Sequence, residues 1–274
     1  MTHLVAFTLG RRPIRVRAPD AATAGAIASL VPGYAGSANG ADPDDVRVER
    51  DPSGAWLARF PEGDARFETL DDLLEALEYL LTLRLLASAT DRVHLHAAGA
   101  VVNGRAVLAL GPSGSGKSSL ALHWSLSGYP VLGDDIVMAD ETGLVHPFKR
   151  LFSVHRARLA ACGLGSGRPA DGSADVEDEA WFDPATRAGW AEPAPVGVVA
   201  MVRFVDHGQL SVGRLSRPTA LAALTAGAMP SGAGGSQAFE TALRLTASAS
   251  TLALTFGKAE EAALALARAV TPPA

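Results

Sequence analysis

The chain has 274 residues, of which 48% are hydrophobic and 19% charged, with a net charge of −5. This is apolar material for one large or two small cored domains, without the basic footprint of a nucleic-acid binder. The single cysteine, Cys162, excludes an intrachain disulfide framework and a cysteine-rich metal site.

The opening run MTHLVAFTLGRRPIRV carries its basic residues after the apolar stretch, the wrong order for a secretory signal. No apolar run approaches the length of a transmembrane helix, so a cytoplasmic protein with no membrane partner is expected. HLVAFTL and PIRVRA read as strands joined at Gly10-Arg11-Arg12, and Asp20 as the N-cap of an alanine-rich helix ending near Pro32. Gly33–Asp45 reads as loop. DVRVER and AWLARF alternate like a hairpin turning at Asp51-Pro52-Ser53-Gly54. Leu70–Ala89 predicts a helix started by Thr69 and Asp71-Asp72. Its main apolar stripe is Leu70, Leu73, Leu74, Leu77, Leu80, Leu81 and Leu85, widened by Leu83 and Leu86, a breadth suited to a helix sandwiched between layers. A boundary near Thr90 divides a small α+β domain, residues 1–90, from a second domain, residues 91–274.

The second domain opens with HLHAAGAVV, a turn at Asn103-Gly104 and RAVLALG. Asn-Gly between apolar strands predicts a hairpin. Next comes Gly111-Pro112-Ser113-Gly114-Ser115-Gly116-Lys117-Ser118, running through Ser119 into an apolar helix. Between a strand and a helix, this spacing is a phosphate-binding loop. Its glycines turn backbone N–H groups inward and the helix N-terminus favours polyphosphate. Lys117 would reach the β- and γ-phosphates and the Ser118 hydroxyl would ligate Mg2+, so ATP and Mg2+ are the expected cofactors.

After the loop helix come YPVLGDDIVMAD, a turn at Glu141-Thr142-Gly143, and LVHPFKRLFSV. Residues 163–195 read as a long excursion. VGVVAMVRFV and QLSVGRLS are strands around Asp206-His207-Gly208. The chain closes with helix Pro218–Ala226, a glycine-rich loop over Ser231–Ser236, helix Gln237–Ala247, strand Thr251–Phe256 and helix Lys258–Val270.

Asp134-Asp135 follows Lys117 by 17 positions, at the end of an apolar strand. One carboxylate can hold Mg2+ and a second can accept the proton of an acceptor hydroxyl. An ordinary Asp-Asp turn is the alternative. Transporter-type signatures and GTPase base-reading motifs are absent from the sequence. Lys149 and Arg150, in Pro147-Phe148-Lys149-Arg150, could neutralise a transferring phosphoryl group or an anionic substrate. A solvated basic patch is the other reading of them.

The stretch LHAAGAVVNGRAVLALGPSGSGKSSLALHWSLSGYPVLGDD resembles the catalytic core of bacterial HPr kinase/phosphorylase and its shorter relatives. In that family a histidine precedes the loop by one hairpin, and here His96 lies 15 positions before Gly111. The resemblance covers His94–Asp140 and implies a phosphate-loop kinase core of the phosphoenolpyruvate carboxykinase-like type, with a mixed central sheet and flanking helices. It also implies that Asp134 is the general base, that Asp135 is a magnesium carboxylate, and that His96 sits beside Asp134 to tune its protonation. A satisfied core histidine is the other reading of His96. The bifunctional members carry an acidic Arg-Gly signature where this chain reads LAACGLGSG, so phosphorolysis and recognition of HPr do not carry across. Short relatives beside ribosomal-peptide tailoring genes, including lasso-peptide kinases that phosphorylate serine, are closer in layout.

The expected function is therefore ATP- and Mg2+-dependent transfer of the γ-phosphate to a hydroxyl, foremost a serine of a peptide or small protein. Its alternatives are a small-molecule hydroxyl acceptor, a nucleotide-switched peptide-binding module, and a plain ATPase. Neither the acceptor nor the oligomeric state, a homo-oligomer included, is legible in the residues.

Overall fold

The computed structural model describes residues 2–10, 13–36, 46–164, 179–232 and 234–270. Arg11-Arg12, residues 37–45 of the expected loop and residues 165–178 of the expected excursion lie outside the described residues. The protein is a mixed α/β chain of two compact units. The first comprises residues 1–90, 149–151 and 155–181; the second comprises 91–148, 152–154 and 182–274.

The first unit contains β1 (His3–Phe7), β2 (Ile14–Ala18), α1 (Ala21–Ala28), β3 (Ala35–Gly36), β4 (Val46–Arg50), β5 (Trp56–Phe60), β6 (Gly63–Phe67) and α2 (Leu70–Ser88). Its six-stranded sheet runs β3-β1-β2-β4-β5-β6, with β2 and β4 parallel. Period-two alternation puts Val46 and Val48 inside, and α1 and α2 pack against the strands. Asp20 accepts a hydrogen bond from the Thr23 N–H, and Thr69 with Asp72 forms a capping box on α2. Strand β6 lies outside the expected elements: Ala65 and Phe67 alternate with Asp64 and Arg66, a run too short and too weakly apolar to mark a strand. The α2 stripe is narrower than its leucine count suggested. Leu73, Leu74, Leu77, Leu81, Leu85 and Leu86 are buried, but Leu83 is 43% exposed.

The second unit opens with β7 (Val93–Val102), β8 (Arg105–Leu110), α3 (Lys117–Leu126), β9 (Val131–Gly133), β10 (Ile136–Ala139) and β11 (Leu144–Pro147). Next in the chain come β12 (Phe152–His155), α4 (Arg156–Ala161) and β13 (Glu179–Phe182), on stretches shared out between the units. The rest is β14 (Ala194–Phe204), β15 (Ser211–Arg214), α5 (Arg217–Ala226), β16 (Ala228–Gly232), α6 (Gly235–Ser248), β17 (Ser250–Phe256) and α7 (Ala259–Arg268). The sheet follows β11-β10-β7-β8-β14-β17-β15. Strand β11 also pairs with β14, so the ladder from β11 through β14 returns on itself. The buried cluster runs through alternate positions of these strands, including Leu95, Ala97, Leu108, Leu110, Val137, Val145 and Val196. Asn103 and Gly104, both at positive φ, make the β7–β8 turn. The indole N–H of Trp124 donates to the Ala263 carbonyl at 3.0 Å, tying α3 to α7.

Candidate functional site

Strand β8 ends at Leu110 and α3 begins at Lys117, and each glycine between them has its own reason. Gly114 and Gly116 turn the chain at φ +76° and +94°, where a side chain is strained. A Cβ on Gly116 would lie 2.6 Å from the Phe256 ring, and one on Gly111 would lie 2.8 Å from the Val202 carbonyl oxygen. The loop is thus pressed against the ends of β14 and β17, and the Phe204 N–H donates to the Ser115 carbonyl at 3.1 Å. Pro112, Ser113 and Gly114 stand at the exposed rim. Ser115 Oγ is buried inside without a hydrogen-bond partner. Lys117 is 5% exposed, and its Nζ donates to the Gly111 and Pro112 carbonyls at 2.9 and 3.1 Å. Ser118 is half-buried and Ser119 is buried in the first turn of α3, which has no side-chain cap. Its leading N–H groups are available to an anion.

Asp134 and Asp135 do not end a single strand. They form a corner between β9 and β10, both of which pair with β7. Gly99 pairs with Gly133 and His96 with Ile136, so the two strands share one register across the corner. The two aspartates therefore stand opposite Ala97 and Ala98 but outside the ladder. Gly133 makes the corner possible: a Cβ there would sit 2.1 Å from the Ile136 carbonyl oxygen. Strand β7 carries the same register to β8, the strand that feeds the glycine loop, pairing Ala97 with Leu110. The corner, His96 and the loop thus lie on one row across the sheet.

The electrostatics agree with that row. Burial pushes the Lys117 ammonium below its ordinary pKa, while the Asp135 and Asp134 carboxylates pull it back up. Asp134 is 3% exposed. Asp135 is half-exposed, and its Oδ1 lies 3.2 Å from His96 Nδ1. The resemblance set His96 beside Asp134; the contact here is with Asp135. Residues outside the ladder do not obey strand alternation, so sequence parity could not say which aspartate the imidazole meets. The backbone of His96 is held by its N–H, which donates to the Gly227 carbonyl at 2.8 Å. Sequence marks Gly133 only as the first residue of the Gly133-Asp134-Asp135 motif, without its role at the corner, and gives no signal for Gly227.

Lys149 and Arg150 belong to the first unit. The Lys149 N–H donates to the Tyr34 hydroxyl at 3.1 Å, and Arg150 Nη1 lies 3.3 Å from Glu78 Oε1. A Cβ on Gly33 would lie 2.1 Å from the Lys149 Cβ, so the backbones approach closely there. Arg150 thus has a structural partner that the basic-patch and phosphate readings both lacked.

Among the described residues no group of three or more His, Cys, Asp or Glu is placed to cage a metal. No helix there is long and apolar enough to cross a membrane. The chain matches no protein-family model, and no curated protein matches it.

Proposed function

We propose that this chain is an ATP- and Mg2+-dependent kinase that phosphorylates a hydroxyl, foremost a serine of a peptide or small protein. The resemblance to HPr kinase-like proteins, and the phosphate-loop kinase core it implies, belong to this proposal. The observation that carries it is the row joining Lys117 in its glycine loop to the Asp134–Asp135 corner and His96. The residues of this loop suit a polyphosphate: two glycines at positive φ, an uncapped helix start, a buried lysine and the orphaned Ser115 hydroxyl fall within Gly114–Lys117. Mg2+ bound with a nucleotide takes one or two protein oxygens and fills its shell with phosphates and water. Ser118 and Asp135 are oxygen donors of that kind and number.

When bound, magnesium-ATP supplies the γ-phosphoryl group and the charge neutralisation for its transfer. The residues of the chain then have separable tasks. Lys117, released from the two carbonyls, neutralises phosphate oxygens. Asp134 accepts the proton of the acceptor hydroxyl as its oxygen bonds to the γ-phosphorus and the bond to the β,γ-bridging oxygen breaks. Asp135, with Ser118, would hold the magnesium ion, and His96, 3.2 Å from its Oδ1, would fix its rotamer.

The test is incubation with ATP, Mg2+ and candidate peptides, read as a mass gain of one phosphate. Asp134→Asn is expected to slow transfer by about 10²–10⁴-fold with nucleotide affinity retained. Full activity in that variant would remove Asp134 as base. Lys117→Ala is expected to abolish ATP binding, and unchanged binding would sink the phosphate-loop reading. Nucleotide binding with no transfer to any acceptor would leave a switched binding module.

A further inference from the structure

Strands β14 and β17 overshoot the strand that feeds the phosphate loop. Leu110, the last residue of β8, pairs with Met201, but β14 continues through Phe204. At about 3.3 Å per residue, that carries β14 roughly 10 Å past the end of β8. Its partner β17 runs beside it as far as Phe256, paired with Phe204. The segments beyond these ends are sewn together. The Val205 N–H donates to the Phe256 carbonyl at 2.9 Å. Gly257 packs so tightly on Gly208 that a Cβ would lie 2.5 Å from the Gly208 oxygen. Asp206 and His207 project from this ledge into solvent, with side chains 81% and 95% exposed and 3.5 Å apart. His207 holds φ +53°, a left-handed conformation that few non-glycine residues adopt.

The position of the ledge relative to the charges has a consequence. Asp134, Asp135 and His96 flank the loop from the β7 side, so the reacting end of a bound polyphosphate faces that way. The remainder of the ligand must leave across the loop toward β14, the other neighbour of β8. There it meets the carboxyl ends of parallel strands, where α/β sheets bind ligands. We infer that the nucleoside half of the nucleotide rests on the Val205–Gly208 ledge, with the His207 imidazole against the base and the Asp206 carboxylate toward the ribose hydroxyls. This inference rests on the nucleotide reading above and extends it to residues that the phosphate-loop motif leaves untouched.

Calorimetric titration with magnesium-ATP and with magnesium tripolyphosphate tests it, because the second ligand carries the phosphates without a nucleoside. The variants are His207→Gly, which keeps the left-handed backbone and deletes the ring, and Asp206→Asn, which keeps the shape and deletes the charge. Wild-type protein is expected to bind ATP more tightly than tripolyphosphate. His207→Gly should weaken ATP by about tenfold, the scale of one lost base–aromatic contact, with tripolyphosphate affinity unchanged. Asp206→Asn should also weaken ATP alone. Wild-type affinity for ATP in both variants would overturn the ledge while leaving the phosphate loop in place. Equal wild-type affinity for the two ligands would do the same. Failure of wild-type protein to bind either ligand would overturn both readings together.

Discussion

At Gly133 one missing methyl group decides where two carboxylates stand. The Ile136 carbonyl occupies the space a Cβ would need, so Gly133→Ala must open the corner that carries Asp134 and Asp135. The expected cost is about 1–3 kcal/mol of stability, read from denaturant midpoints. On the kinase reading proposed above, transfer activity should fall further than stability accounts for, because the aspartates move; an alanine variant of wild-type stability and activity would contradict this role. Lys117, Ser118 and the pair Asp134-Asp135 were all legible as types at a spacing. The partner of His96 was not, because it depends on how a two-residue break in a ladder turns its side chains.

Two hairpins in different units use the same turn, and its four residues explain it. In Asp51-Pro52-Ser53-Gly54 the Asp51 Oδ1 accepts from the Ser53 N–H, the Ser53 hydroxyl and the Ala55 N–H. In Asp140-Glu141-Thr142-Gly143 the Asp140 Oδ1 accepts from the Thr142 N–H, the Thr142 hydroxyl and the Leu144 N–H. Gly54 and Gly143 close the turns at φ +91° and +87°. Asp140 also meets His146 Nε2 at 2.6 Å. Burial would raise its pKa, but the hydrogen bonds from Thr142, His146 and the Leu144 and Thr142 N–H groups outweigh it and hold the carboxyl at about 2. A folded-state pKa below the ordinary 3.8 stabilises the fold above that value and is lost as pH falls toward 2. Asp140→Ala should therefore lower stability by about 1–3 kcal/mol at pH 7, with the gap to wild type closing as pH approaches 2 in parallel thermal melts. A gap independent of pH would refute the charge-based account. Both turns were readable because glycine, aspartate and hydroxyl side chains act locally. Strand β16 was unreadable for the opposite reason: AMPSG contains a proline and no apolar alternation, and it pairs with β7 through a register shift.

On the scale of the whole molecule, the boundary after Thr90 is a property of chain order, but the first unit is not a property of residues 1–90 alone. Residues 149–151 also belong to it, with contacts from Lys149 to Tyr34 and Arg150 to Glu78, and so do residues 155–181. A fragment ending at Thr90 is expected to lose stability relative to the same unit in the full chain. Hydrogen-exchange protection on β1, β2 and α2, compared between fragment and full chain, measures the loss. Equal protection would show that residues 1–90 need no completion. In the second unit the closed ladder arises from length: β7 and β14 run ten and eleven residues, enough to pair one set of neighbours at one end and another at the other.

By itself the sequence determined what acts over short distances: turns, caps, the Asn103-Gly104 hairpin, the glycine loop with Lys117, and the presence of two adjacent aspartates one helix beyond it. Each of these is written in a few consecutive residues whose backbone preferences and hydrogen bonds need no distant partner. Only the tertiary structure decided the rest. It placed the aspartates at a corner opposite Ala97 and Ala98, gave His96 to Asp135, moved Lys149 and Arg150 into the first unit, and set the ends of β14 and β17 against the loop. Those outcomes depend on strand register and on which backbones can approach within a methyl group of each other, and neither is encoded in local pattern.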